Sequence, residues 1–366
     1  MNLRRQPALG IVSALVIVVL SLIFISLMDW PTFRDWVSFY LMCTIPFAFV
    51  VGAFWHGEQP AALARLRQPW KGLAFLATAL VVGAVVAGLL IATVGKGITP
   101  PTPMVTQCVI ISVPFSFWLA VVWGGWPFSL LRSRVAGGLA LLVTTYLIAA
   151  AVFETLMNYD FLKGAPVYVA TADPQGRFDA WTVLVFIVTC MAAAFLMLNL
   201  ELWPLTRSAR LMAQPVLGLV WTAAIVVIGA LVTYLGLSVA GMAAPTYLVT
   251  VPVPFLFGSI VVLITLEGSL YSGLKQPLRG VTSALTAAVV GIVLARIYAS
   301  VSGMVSGDVP TGAPGFDGEI WLASALLAVT FPFLAFHADF FDKWPLRRAS
   351  DRAQAADDVV TDALDV

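Results

Sequence analysis

Ten stretches of this chain are each long and apolar enough to cross a bilayer, and that feature decides the fold class. A hydrocarbon core of about 30 Å needs about 20 apolar residues in a helix. Segments 9–29, 36–56, 71–95, 104–126, 136–157, 180–203, 214–239, 246–270, 280–302 and 320–342 meet that length. Hydrocarbon offers no water to backbone polar groups, so such segments must be helices that satisfy their own N–H and C=O groups. The expectation is an all-α polytopic membrane protein of ten transmembrane helices. Composition agrees, with 60% apolar residues, 11% charged residues and a mean hydropathy of +0.96 over 366 residues. A soluble domain carries about 25% charged residues. A net charge of +1 gives nucleic acid nothing to bind.

The connections set an orientation. Arg4, Arg5, Arg65, Arg67, Lys71, Arg132, Arg134, Arg207, Arg210, Lys275, Arg279, Lys343, Arg347, Arg348 and Arg352 collect on one side, against Arg34, Lys96, Lys163 and Arg177 on the other. Basic residues stay on the cytoplasmic side. Both termini are therefore expected in the cytoplasm, in a multi-pass protein of the cell (inner) membrane. Arg4-Arg5 and the run from Ile11 to Met28 lack a small-x-small cleavage site, so they read as a first membrane helix and not a signal peptide. Cys43, Cys108 and Cys190 lie in apolar runs without metal or redox spacing and read as small buried hydrophobes.

Short motifs recur. Gln-Pro precedes three odd-numbered helices (Gln68-Pro69, Gln214-Pro215, Gln276-Pro277), and Trp-Pro follows three even-numbered ones (Trp126-Pro127, Trp203-Pro204, Trp344-Pro345). Pro-Phe sits inside even-numbered helices at Pro46, Pro114, Pro254 and Pro332. These recurrences imply five hairpin repeats of about 70 residues. Pro-Thr-x-x-Val-Thr at 101–106 and 245–250 further suggests that helices 3–6 and 7–10 are a parallel duplication. The expected units are an N-terminal hairpin (1–66), a first four-helix repeat (67–212), a second (213–350) and an acidic cytoplasmic tail (351–366). The Trp and Asp at helix borders have plain structural roles as interfacial anchors and N-caps. A mid-helix proline frees a carbonyl and kinks the helix, so four prolines at one depth suit a widened axial path.

Ionisable groups at depth are functional candidates. Aligning Gly138 with Gly280 sets Glu154 opposite Arg296, which suggests an outer intramembrane ion pair across a pseudo-twofold axis. His56, Glu58, Asn199, Glu201, Glu267, His337 and Asp339 form a polar set near the cytoplasmic ends of even-numbered helices. Ring closure of the hairpins would bring His56 towards His337, which suits a proton relay or, less readily, a bis-His haem or metal site. No cofactor is otherwise expected. Protease, hydrolase and nucleotide-binding motifs are absent, so no catalytic residue is assigned. The expected function is a non-enzymatic transporter or channel for a small neutral or weakly polar solute, its path lined by the kinked even-numbered helices. Its partners would be the bilayer, that solute and other membrane or peripheral proteins. The rival is a non-catalytic anchoring or coupling subunit of a larger complex, associated with quinone or lipid. Short loops and sparse midplane polarity favour the rival.

Overall fold

The computed structural model describes residues 6–347, so the acidic tail and Arg4, Arg5, Arg348 and Arg352 lie outside the described residues. Among the described residues, ten helices are long and apolar enough to span a membrane: α1 (Ala8–Ser26), α2 (Trp30–Phe54), α3 (Trp70–Ala92), α4 (Pro103–Val122), α5 (Arg134–Leu156), α6 (Ala180–Asn199), α7 (Val216–Val239), α8 (Ala244–Thr265), α9 (Leu278–Ser306) and α10 (Asp317–Phe340). The chain is a multi-pass, all-helical membrane protein. The only strands among the described residues, Met157–Asn158 and Phe178–Asp179, pair in parallel and tie the end of α5 to the start of α6.

The helices sort into two layers. Each even-numbered span has 56–72% of its apolar window buried inside the protein, against 28–50% for the odd-numbered spans. α2, α4, α6, α8 and α10 pack in that order, and α10 returns to α2, so they close an inner ring. Each odd-numbered helix covers one seam of that ring: α3 lies over α10 and α2, α5 over α2 and α4, α7 over α4 and α6, α9 over α6 and α8. α1 covers the remaining seam, between α8 and α10. Membrane helices gain little from the hydrophobic effect against one another, so this order must come from close packing and polar ties.

Those ties cluster at the arginine-rich end. Every inner helix ends in two consecutive residues of left-handed conformation: His56-Gly57, Gly124-Gly125, Glu201-Leu202, Glu267-Gly268 and Asp342-Lys343. Four inner helices widen beforehand into a π turn, at Val50–Phe54, Trp118–Val122, Val261–Thr265 and Phe336–Phe340. The last carbonyls of such a helix have no intrahelical donor. Glutamines of the outer helices reach them. Gln6 Nε2 donates to the Thr265 carbonyl (3.1 Å), Gln68 Nε2 to Phe340 (2.8 Å) and Gln214 Nε2 to Val122 (3.2 Å). The same glutamines accept the N–H of a glycine four residues on, at Gly10, Gly72 and Gly218.

That glycine is required by approach. A Cβ on Gly218 would stand 2.6 Å from the Trp123 indole, and one on Gly72 would enter the Phe341 ring. The motif is thus Gln-Pro-x-x-Gly, and it includes Gln6-Pro7 at the start of α1. α5 departs from it: Ser133 caps Ala136, and the Trp55 indole donates to the Arg134 carbonyl at 2.8 Å. α6 ends without a π turn, and there Gln276 Nε2 is left without a partner.

The prolines do not all act at one depth. Pro46, Pro114 and Pro332 each stand nine residues before the residue capping their helix (Trp55, Trp123, Phe341), whereas Pro254 stands twelve before Leu266. In α8 the break falls at Val251, whose backbone interrupts the helix ahead of Pro252. There α8 and α9 meet backbone to backbone, and a Cβ on Gly291 would lie 1.8 Å from the Pro254 carbonyl oxygen.

Gly291→Ala should therefore cost about 2–3 kcal/mol of stability by forcing the helices apart. Gly88→Ala, at a lipid-facing glycine with open space around it, should gain about 0.5–1 kcal/mol. Thermal unfolding of the two variants in one detergent checks the contrast.

Candidate functional site

The end of the inner ring opposite the arginine-rich turns encloses a cavity of about 140 Å³, lined by all five inner helices. α2 brings Arg34 and Asp35, α4 Gln107 and Ile110, α6 Trp181 and Leu184, α8 Pro245 and Leu248, and α10 Glu319 and Ala323. A π turn over Phe33–Val37 holds Arg34 near the mouth. Its guanidinium pairs with Asp35 at 2.6 Å and, on the neighbouring α10, with Asp317 at 3.6 Å, and it lies over the Trp30 ring. The buried Glu319 carboxylate accepts the Gly312 N–H (3.1 Å) and the Thr246 hydroxyl (3.3 Å). Gln107 is 6% exposed, and its Oε1 has no hydrogen-bond partner.

Met42, Ile110, Val188 and Leu327 continue from this vestibule into a second, wholly apolar chamber of about 30 Å³. Pro114, Met191, Ile260 and Phe331 line its floor. Beyond it the axis is filled by aromatic rings. Phe331 meets Phe49 at 5.8 Å, Phe49 meets Phe117 at 5.6 Å, and Phe117 stacks on Phe195 at 4.8 Å. These rings come from α10, α2, α4 and α6, so the plug is a joint product of four inner helices.

The polar residues expected to gather at the other end are spread around it. Glu58 pairs with Arg134 at 3.9 Å and Glu201 with Arg279 at 3.1 Å, each tying an inner helix to the outer helix over its seam. Asn199 is buried, donates to Ser259 and accepts from Ser283, joining α6, α8 and α9. Asp339 lies against Gly52 of α2. His56 occupies the left-handed cap of α2 and faces a surface hollow between α2 and α4. His337 belongs to the π turn of α10, five residues before the equivalent cap. No hydrogen bond or ion pair joins the two histidines, and the described residues form no group of three or more His, Cys, Asp or Glu fit to hold a metal.

Glu154 and Arg296 do not meet. They lie on α5 and α9, which cover different seams, and both side chains are exposed on the outer layer. The axis is built from even-numbered helices alone, so neither residue reaches it. Sequence reading passed over the residues that do line the axis. Gln107 stood in an apolar run, and Arg34, Asp35 and Asp317 read as border residues. Phe49, Phe117 and Phe195 differ from other phenylalanines only in the face they occupy.

Glu267 carries the densest ion cluster at the arginine-rich end. Burial pushes its carboxyl up, but Lys343 at 2.5 Å and Arg347 at 3.1 Å outweigh that and hold it below the usual carboxylate range. For Lys343 itself burial is the larger effect and lowers its affinity for a proton; its ammonium also donates to the Thr265 carbonyl. A depressed carboxylate stabilises the fold above its unfolded-state pKa, and that contribution disappears as pH falls through the lowered value. Glu267→Gln should lower the thermal midpoint at neutral pH and converge with the parent protein in acid. Midpoints measured across that pH range check it.

No protein-family model, curated protein or solved structure matches this chain.

Proposed function

We propose that the chain passes a small solute across the membrane along the axis of its inner ring, as a transporter or channel without catalytic chemistry or a resident cofactor. The observation that carries this reading is the vestibule lined by all five inner helices, open at one end and closed below by the Phe49–Phe117–Phe195–Phe331 plug. A scaffold or anchor needs no cavity on its axis. With the arginine-rich turns in the cytoplasm of the cell membrane, the vestibule faces outward and the plug closes the inner half.

The prolines suit the motion such a passage requires. Phe49 and Phe117 each follow a helix proline by three residues. Proline removes the backbone bond that would stiffen that turn. The Tyr146 hydroxyl donates to the Cys43 carbonyl (2.9 Å) beside Pro46, supporting the loosened turn from the outer layer. The five hairpins are repeats of one unit, each contributing one path-lining and one seam-covering helix. The shared left-handed caps and glutamine ties support a fivefold relation more directly than a duplication of four helices.

A second reading, a lipid- or quinone-associated subunit of a larger complex, draws on one feature. An apolar groove of about 520 Å³ opens between α4, α5, α6 and α7, walled by Phe115, Phe178, Phe186 and Ile225. The two readings part on whether the purified chain alone conducts. In proteoliposomes, Phe49→Ala with Phe117→Ala should raise the rate of glycerol-driven swelling several-fold over the parent protein. A rate unchanged by opening the plug overturns the axial route.

A further inference from the structure

We propose that the vestibule binds a small primary amine as its ammonium, held by the Gln107 side-chain oxygen and by the carboxylates of Asp35 and Glu319. This rests on reading the axis as the solute route.

Two independent observations converge. The first is the unpartnered acceptor. Gln107 lines the cavity and is only 6% exposed, and its Oε1 receives no donor. Leaving such a group unpaired in a low-dielectric site is costly, and a ligand that donates an N–H or O–H removes the penalty. The second is charge. Among the described residues, Arg34 is the one cation lining the vestibule, and Asp35 and Asp317 already engage it at 2.6 and 3.6 Å. Glu319 adds a third carboxylate, anchored by the Gly312 N–H and the Thr246 hydroxyl. Two carboxylates, Asp35 and Glu319, line the cavity beside a single guanidinium that also pairs with Asp317, so the formal balance is negative and an anion is disfavoured.

A neutral alcohol would satisfy Gln107 and leave the charge uncompensated. An ammonium does both, because its three N–H donors reach an amide oxygen and carboxylates together. The remaining walls, including Ile110, Leu184, Val188 and Leu248, accept a short alkyl chain, and about 140 Å³ limits the ligand to a few heavy atoms. Trp181 supplies an aromatic surface suited to a cation.

The test uses the full chain in lipid nanodiscs with n-butylammonium, 1-butanol and butyrate as matched probes. n-Butylammonium is expected to raise the thermal midpoint in a saturable, dose-dependent way, with butyrate inert and 1-butanol weaker. Gln107→Leu, which removes the acceptor and keeps an apolar filling, should weaken n-butylammonium about tenfold or more. Asp35→Asn, which leaves Arg34 paired to Asp317, should weaken it similarly. Equal responses to n-butylammonium and butyrate, no response to n-butylammonium, or full affinity in Gln107→Leu would each overturn the proposal. The two readings fail separately. Specific n-butylammonium binding in a chain whose plug variants do not conduct leaves the site standing and removes the route, whereas conduction without that specificity does the reverse.

Discussion

A helix in hydrocarbon satisfies its own backbone except at its ends, and the rest of this structure depends on how five inner helices finish. Each turns through two left-handed residues, and at three of them a glutamine from an outer helix takes up the last carbonyl. Because the glutamine belongs to the helix covering the seam, the bond that caps one helix also positions another. The glycine four residues on lets the two backbones come close enough for the bond to form. Capping and layer order are therefore one interaction.

With the arginine-rich end locked in this way, freedom is left to the axis. Four of the five inner helices, all but α6, are broken or loosened by proline, and the aromatic plug sits next to those breaks. The charged residues that line the axial cavity lie at the opposite end, where Arg34 joins α2 to α10 and Gln107 faces the cavity. The even-numbered helices carry the lining and the odd-numbered ones meet the bilayer. A charge on an odd-numbered helix such as Glu154 or Arg296 thus lies at the lipid-facing layer however deep it is.

Much of the architecture was legible because it is written in length and polarity. All ten spans match sequence segments, since twenty apolar residues leave a chain little choice. The recurrence of Gln-Pro and Pro-Phe was also readable, but its meaning was not. Gln68 and Gln214 look like interfacial polar residues until their carbonyl partners, over a hundred residues away in the case of Phe340, are known. The same limit hid Gln107. An amide in an apolar run is ordinary on paper and becomes exceptional only when every neighbour has been counted and none donates. Aligning copies by glycine brought Glu154 and Arg296 to one level, yet a shared level says nothing of which layer a helix joins. Counted from Pro46 and Pro332, His56 stands ten residues on and His337 five, so the two hold different positions although both lie near the same end.

α1 sits where the pattern of the other outer helices would place a helix following α10. α1 precedes the whole inner ring in the chain, yet the seam it covers exists only after α8 and α10 have been made. Until then α1 stands in lipid without its neighbours, and the Gln6–Thr265 bond must wait for most of the protein to be built. Covering of that last seam is in this sense a late act of assembly, performed by a helix that precedes the whole ring in the chain. A circularly permuted chain starting at α2, with α1 joined after α10, would follow the order of the ring and could complete each seam as it emerged.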